Sequence, residues 1–375
     1  MHVAINAQIV SPVGGYRQAG VSGYAEQMAR RLPALAPADR WTIYAAPGIT
    51  PERLALQPNT RLHVSRLPTT KPIARIWWEQ LVAPVALWRT RPDLLLCPLN
   101  VVPLWAPCPT VVTIHDLAFL RYPEYFPPAK QRYLAAFTRL SAHRARHIIT
   151  VTEATKRDVV QLLGVPATKI TAIINGLPDD LPLPSQAEIA AFRRRVQLPE
   201  RFLLFVGTLE PRKNIGALLQ AYHQVRAEVD MPLVVVGGKG WMYAPIFALH
   251  AALGLGDRVL FPGFVAPADL ALWYSAATAF VYPSLYEGLG LPPIEAMHYG
   301  TPVVTSNVSS LPEVVGDAAL TVDPNDVAAL AAALVRVTQD APLREELQRR
   351  GRAHAAQFRW HRTAERTLAL LRSLA

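Results

Sequence analysis

Apolar residues in the first half of the chain come as short unbroken runs. HVAINAQIV opens the sequence, and WTIYAAP at 41–47, DLLLCPL at 93–99, TVVTIHDL at 110–117 and HIITVTE at 147–153 follow. Continuous apolar runs of this length predict strands buried on both faces. Between them the period lengthens to that of a helix, as in Tyr24 to Leu35 and in PPAKQRYLAAFTRLSAHRARH. Gly14, Gly15, Gly20 and Gly23 punctuate a loop after the first strand. Strands alternating with helices predict an α/β fold with a parallel sheet covered on both sides.

The pattern breaks and then restarts. Residues 177–200, LPDDLPLPSQAEIAAFRRRVQLPE, are rich in proline and charge and read as a linker. RFLLFVGTLE (201–210) and MPLVVVGGKG (231–240) then read as strands, with a helix at NIGALLQAYHQVRAE (214–228) between them. RVLFPGFV, TAFVYPS and PVVTSN are further strands, and from about Val327 the pattern is helical to Ala375. The expectation is two βα arrays, 1–180 and 181–355, with 356–375 as a helix packing back towards the first. Two such domains would face each other across a central cleft. Ligands of open α/β sheets lie outside the carboxyl ends of the strands, so the residues just after each strand matter most.

The chain has 375 residues and a formal charge of +10. Residues 1–180 carry 20 basic and 11 acidic side chains, and residues 181–375 carry 18 and 17. Basic character on one half points to nucleic acid, an anionic membrane surface or an anionic ligand. Cys97 and Cys108 could form one bridge but no disulfide framework. No signal peptide and no long apolar span are read, so the expected location is cytoplasmic.

The most specific segment is FVYPSLYEGLGLPPIEAMHYG, Phe280 to Gly300. Glu287 lies in a glycine-containing loop after a strand. Pro292 and Pro293 suit the first turn of a helix, and Glu295 falls a turn later. Two carboxylates converging on one spot need hydrogen-bond donors, and sugar hydroxyls supply them. Glu295 could instead be a carboxylate favoured by the helix dipole alone. The backbone N–H groups from Gly288 to Leu291 favour a phosphate. In VGTLEPRKN (206–214), Arg212 and Lys213 stand at the entry to a helix, where a diphosphate would lie, although a solvated basic turn has the same sequence. No P-loop motif occurs. His143 and His147 have a metal-like spacing but sit among arginines, so no metal site is expected.

These blocks, together with FPGFV and TPVVTSNVSSLPEVVGDAALTVDP, closely resemble family 4 retaining glycosyltransferases of the GT-B fold, and bacterial mannosyltransferases among them. The likeness covers nearly the whole chain and implies two Rossmann-like domains, an acceptor-binding one and a nucleotide-sugar-binding one. It implies that Glu295 bonds the ribose, Glu287 the transferred sugar, and Arg212 with Lys213 the diphosphate. It puts Phe264 and Val265 at the base, Gly207 and Gly288, Leu289, Gly290 and Leu291 at the donor, and Gly20 at the diphosphate. It puts His115 near the reacting sugar carbon, and Asp116, which follows it, is a candidate acceptor contact. His115 could equally be a satisfied strand-end histidine. Many relatives carry a basic residue where Thr208 stands, so one cation of the usual set is missing.

The implied reaction moves a hexose, best read as mannose from a GDP-sugar, with no metal or other cofactor required. The acceptor is a glycan or a lipid-linked sugar. Trp77 and Trp78, within the cationic KPIARIWWEQLVAPVALWRTR, are candidate acceptor contacts, in a segment that suits either a membrane interface or a buried amphipathic helix. Tyr122, Tyr125 and Phe126 follow His115 in a loop that lines or gates the acceptor. The expected partners are thus a nucleotide-sugar donor, a glycan or lipid-linked acceptor and, on the inner face, an anionic membrane. Nucleic acid is not among them. An epimerase, a phosphorylase or a non-catalytic nucleotide-sugar-binding protein remain as alternatives.

Overall fold

The structure is a computed structural model that describes residues 1–12 and 20–375. Gly14 and Gly15 of the expected glycine loop lie outside the described residues. The chain forms two compact units. The first comprises Met1–Gly176 together with Arg359–Ala375, and the second comprises Leu177–Phe358.

Among the described residues of the first unit, seven parallel strands form one sheet. They are β1 (His2–Ala7), β2 (Arg40–Ala45), β3 (Thr60–Val64), β4 (Leu94–Cys97), β5 (Thr110–Ile114), β6 (His147–Thr150) and β7 (Ile170–Ala172), in the order β3-β2-β1-β4-β5-β6-β7. Side chains alternate across the sheet. Val3 and Ile5 pack on one face with Tyr24, Met28, Trp360 and Leu371. Ala4 packs on the other with Trp78, Leu95 and Ile148. Both faces are covered, which is why β1, β4, β5 and β6 are buried throughout and read as apolar runs. Cys97 and Cys108 are free thiols in this core.

The second unit repeats the plan. β8 (Leu203–Val206), β9 (Leu233–Val236), β10 (Val259–Gly263), β11 (Ala279–Tyr282), β12 (Val303–Ser306) and β13 (Leu320–Val322) are parallel, in the order β10-β9-β8-β11-β12-β13. In each sheet the strand order reverses once, between β1 and β4 and between β8 and β11. Those reversals open the crevice in which doubly wound sheets bind ligands.

Two local readings are corrected. Residues 177–200 are not a plain linker, because Gln186–Arg195 is helical. Ser185 accepts from the Glu188 N–H while Glu188 returns a bond to the Ser185 N–H, a reciprocal cap that the SQAE sequence encodes. Gly23 does not punctuate a loop, since the helix begins at Val21. The C-terminal pattern is three helices, Val327–Gln339, Ala341–Ala355 and Trp360–Leu374. The last lies in the first unit, where Thr363 bonds the Ile174 carbonyl at 2.8 Å and Arg366 the Ala172 carbonyl at 3.0 Å.

Candidate active site

Beside the β8/β11 reversal, the ends of β8 and β9 approach backbone to backbone. Gly237, after β9, has φ +154°, and a Cβ there would lie 1.8 Å from the Gly207 carbonyl oxygen, so only glycine fits. Gly207 itself pairs its N–H with Val236. The chain leaving β8 then makes a single 3₁₀ turn, Pro211–Lys213. That turn aims Arg212 and Lys213 at the loop leaving β11. The Arg212 carbonyl accepts from the Leu285 N–H at 2.9 Å and the Ser284 hydroxyl at 3.1 Å, which ties the two loops together.

Glu287 is the centre of this junction. Its Oε1 accepts from Lys213 Nζ at 2.6 Å, Ser284 Oγ at 2.6 Å and the Tyr282 hydroxyl at 3.0 Å. Its Oε2 accepts from Arg212 at 2.9 Å. Arg212 also donates to Glu210 at 2.7 Å, and Lys213 to the Tyr282 hydroxyl at 2.7 Å. Burial alone would raise the Glu287 pKa. The adjacent Arg212 and Lys213 charges, with hydrogen bonds from Lys213 and Ser284, overcome this and hold it at about 2. Burial and the Arg212 charge lower the Lys213 pKa, against the pull of Glu287. Two cations and two carboxylates thus occupy one buried site with formal charges that cancel.

The loop that follows is pinned from behind. Ser309 Oγ accepts from the Glu287 N–H at 3.0 Å, and Ser310 Oγ donates to the carbonyls of Glu287 and Leu289 at 2.9 Å each. Gly290 has φ +94° and precedes the helix Leu291–His298, which carries Pro292 and Pro293 in its first turn. Gly288 and Leu289 are buried. Glu295, in the second turn, accepts from the Tyr274 hydroxyl at 2.8 Å, and burial raises its pKa. The two glutamates are therefore held by separate partners. Phe264 follows β10 and is half exposed, with Val265 beside it partly buried.

In the first unit, His115 follows β5. Its Nε2 lies 2.9 Å from the Pro98 carbonyl, and its backbone N–H donates to Asn100 Oδ1. A carbonyl can only accept, so Nε2 carries the proton and Nδ1 carries the lone pair. Burial lowers its pKa, and the ring meets Tyr24 edge to face at 4.9 Å. Asp116 accepts from the Ala118 N–H at 3.0 Å, starting a short helix. Tyr122 stacks on Tyr125 at 5.6 Å. Gly20, with φ +62°, precedes the helix Val21–Leu35.

Trp78 is a correction. Trp78 is 4% exposed and packs into the core against Tyr44, so an acceptor cannot lie on it. Trp77 faces outward. His143 and His147 bond the Leu163 carbonyl and Thr171 respectively, and so do not face a common point. Among the described residues, no three His, Cys, Asp or Glu side chains are arranged to hold a metal ion.

Glu210, Tyr274, Tyr282, Ser284, Ser309 and Ser310 escaped the sequence reading. All but Glu210, which pairs with Arg212 two residues on, owe their place to contacts between separate elements. Only strand-end position could have flagged Tyr282 and Ser284.

The two doubly wound parallel sheets define a glycosyltransferase scaffold, GT-B. Two solved structures share it at low identity. Sucrose-phosphate synthase from Thermosynechococcus elongatus has a TM-score of 0.78 and 24% identity, with 100% of this chain and 98% of that one covered. Anabaena HepE, in complex with UDP and glucose, has a TM-score of 0.77 and 21% identity, with 99% of each chain covered. The description "Glycosyl transferases group 1" matches residues 188–354, and "Glycosyltransferase Family 4" matches residues 19–181. O-antigen chain mannosyltransferase B of Escherichia coli is 40% identical over 261 residues, which is 69% of this chain and 68% of the relative. The serotype-specific mannosyltransferase WbdA of Escherichia coli is 30% identical over 269 residues, 69% of this chain but only 32% of that longer protein. The chain belongs to the group 1 glycosyltransferases and is a glycosyltransferase.

Proposed function

We propose that this enzyme transfers mannose, with retention of configuration, from GDP-mannose to a glycan or lipid-linked acceptor in the assembly of a surface polysaccharide. The observation that carries the reading is the Glu287, Arg212 and Lys213 junction at the β8/β11 reversal. The names of the mannosyltransferase relatives support the sugar and the kind of acceptor.

Breaking the sugar–phosphate bond develops negative charge on the departing diphosphate. Arg212, Lys213 and the amides of Gly288 to Leu291 stabilise that charge where it grows, without a divalent cation. Glu287, ionised at any physiological pH, accepts from hydroxyls of the sugar, and Glu295 from the ribose. Phe264 and Val265 meet the base, while Gly207 and Gly20 let backbone approach the donor. His115 offers its Nδ1 lone pair to a sugar hydroxyl, because Nε2 is engaged by Pro98.

The test is a thermal-shift screen of GDP-, UDP-, dTDP- and ADP-sugars, followed by nucleotide release with a mannosylated acceptor. The GDP-sugar should give the largest shift. Transfer should survive EDTA, and NMR of the product should show an α-linked mannose. A preference for another base, loss of activity in EDTA, or a β-linked product would overturn the corresponding part. Phosphate-dependent release of nucleotide with a sugar phosphate as product would instead favour a phosphorylase, and an altered sugar still joined to the nucleotide an epimerase.

A further inference from the structure

The segment Pro72–Thr90 is one continuous helix: α-helical over Pro72–Trp77, π-helical over Trp78–Val82, and α-helical again over Ala83–Thr90. The cause of the wide turn is local. Pro84 has no N–H to give the Gln80 carbonyl, and Ala83 donates to Trp78 five residues back.

The helix already has a filled inner face. Trp78, Ala83 and Leu87 lie in the core, and Glu79 is buried beside them, accepting from Asn6 at 3.4 Å. Its outer face is also apolar. Ile73, Trp77, Leu81, Val85 and Trp88 are 72%, 59%, 56%, 50% and 64% exposed. Their spacing is four, four, four and three. On an ideal α-helix three steps of four would drift by about 120° around the axis, because four residues overshoot one turn by about 40°. The π turn takes up one extra residue and returns Leu81 and Val85 to the line of Ile73 and Trp77. The bulge therefore keeps a single straight stripe, and a helix apolar on two faces has a second surface to cover.

The charge around the stripe identifies what covers it. From Arg53 to Pro92 the only acidic residue is Glu79, which is buried, against Arg53, Arg61, Arg66, Lys71, Arg75, Arg89 and Arg91. Arg61, Arg66, Lys71, Arg89 and Arg91 are exposed. A second copy of this chain would bring like charges together across a two-fold contact. Indole rings in line with aliphatic side chains, on a helix flanked by the exposed cations Lys71, Arg89 and Arg91 with Asp93 as the first exposed carboxylate beyond it, match the boundary of an anionic lipid leaflet. Among the described residues no helix is long and apolar enough to cross a membrane, so the contact lies in the plane of the surface.

We propose that the outer stripe of Pro72–Thr90 is an interfacial membrane anchor that docks the first unit on anionic lipid. This goes beyond the catalytic reading, and vesicle partition tests it without donor or acceptor. The full chain is sedimented with vesicles of phosphatidylcholine alone and with vesicles containing a quarter phosphatidylglycerol. The expected result is binding to the anionic vesicles at low salt, weakened steeply by high salt. The triple variant Ile73→Gln, Leu81→Gln, Trp88→Gln, checked for an unchanged melting temperature, should partition at least about tenfold less. Replacing Arg89 and Arg91 by glutamine should lower binding to the anionic vesicles and flatten the salt dependence. Equal partition of wild type and the triple variant overturns the proposal, as does absence of binding at low salt. A wild-type dimer in sedimentation velocity that the triple variant abolishes would assign the stripe to self-association and also overturn it.

Discussion

Glu287→Gln removes one negative charge from a buried cluster whose charges otherwise cancel. The four donors around it stay in place, at 2.6–3.0 Å, but Arg212 and Lys213 lose the carboxylate that pairs with both, while Arg212 keeps its pair with Glu210. The size of the effect follows from the titration of the carboxylate. Its pKa is held at about 2 against an ordinary 4.5, which corresponds to about 3 kcal/mol of stabilisation of the charged form in the fold. Breaking buried ion pairs by removing one partner costs about 3–5 kcal/mol, in agreement. For a body of this size that means a melting temperature lower by roughly 6–20 °C at neutral pH. The sign with pH is fixed. A carboxylate with a depressed folded pKa contributes fully above its unfolded value and loses the contribution as pH falls towards its folded one. The gap between wild type and variant should therefore narrow from about pH 4.5 downwards and close near about 2. Thermal unfolding of both proteins across that range measures it. A variant that melts with wild type at neutral pH, or a gap that does not narrow in acid, refutes the argument.

Two further outcomes follow from the same site. Lys213→Ala should weaken GDP binding by about tenfold or more in titration calorimetry, since a buried cation at the junction is lost, and unchanged affinity would sink the diphosphate role. Gly290→Ala should destabilise the protein by about 1–3 kcal/mol, because φ is +94° and the new Cβ would lie 2.8 Å from Leu311 Cδ2. On a Leu311→Ala background, where the side-chain clash is gone, the substitution should still lower the melting temperature below that of Leu311→Ala alone, and no further fall would show that the conformation carries no strain.

Much of the fold was legible because both sheets are buried on both sides. LLLC, LLFV and LVVV are apolar without interruption for that reason. The edge strand β3 was missed because Thr60–Val64 is largely exposed and its residues do not form an apolar run. β7 and β13 are three residues each, too short to give a pattern. The residues Glu287, Arg212 and Lys213 could be picked out by type and by position after a strand. Their arrangement could not, since the bonds that join them span 74 and 75 positions. The two-faced helix Pro72–Thr90 shows a further limit. Periodicity registers that residues are apolar, and it does not tell an inner face from an outer one when both are.

The helix Trp360–Leu374 has a consequence for how the protein is made. It supplies Trp360, Ala364, Leu368 and Leu371 to the same core as Val3, Ile5 and Met28. A ribosome delivers those residues only after the whole of Leu177–Phe358 has emerged. The second unit can complete its sheet while translation is still running. The first must wait, with Tyr24 and Met28 uncovered on one side of its sheet, until the last turns of helix arrive. Nascent chains stalled before Trp360 should thus be held by chaperones through the first unit and not the second.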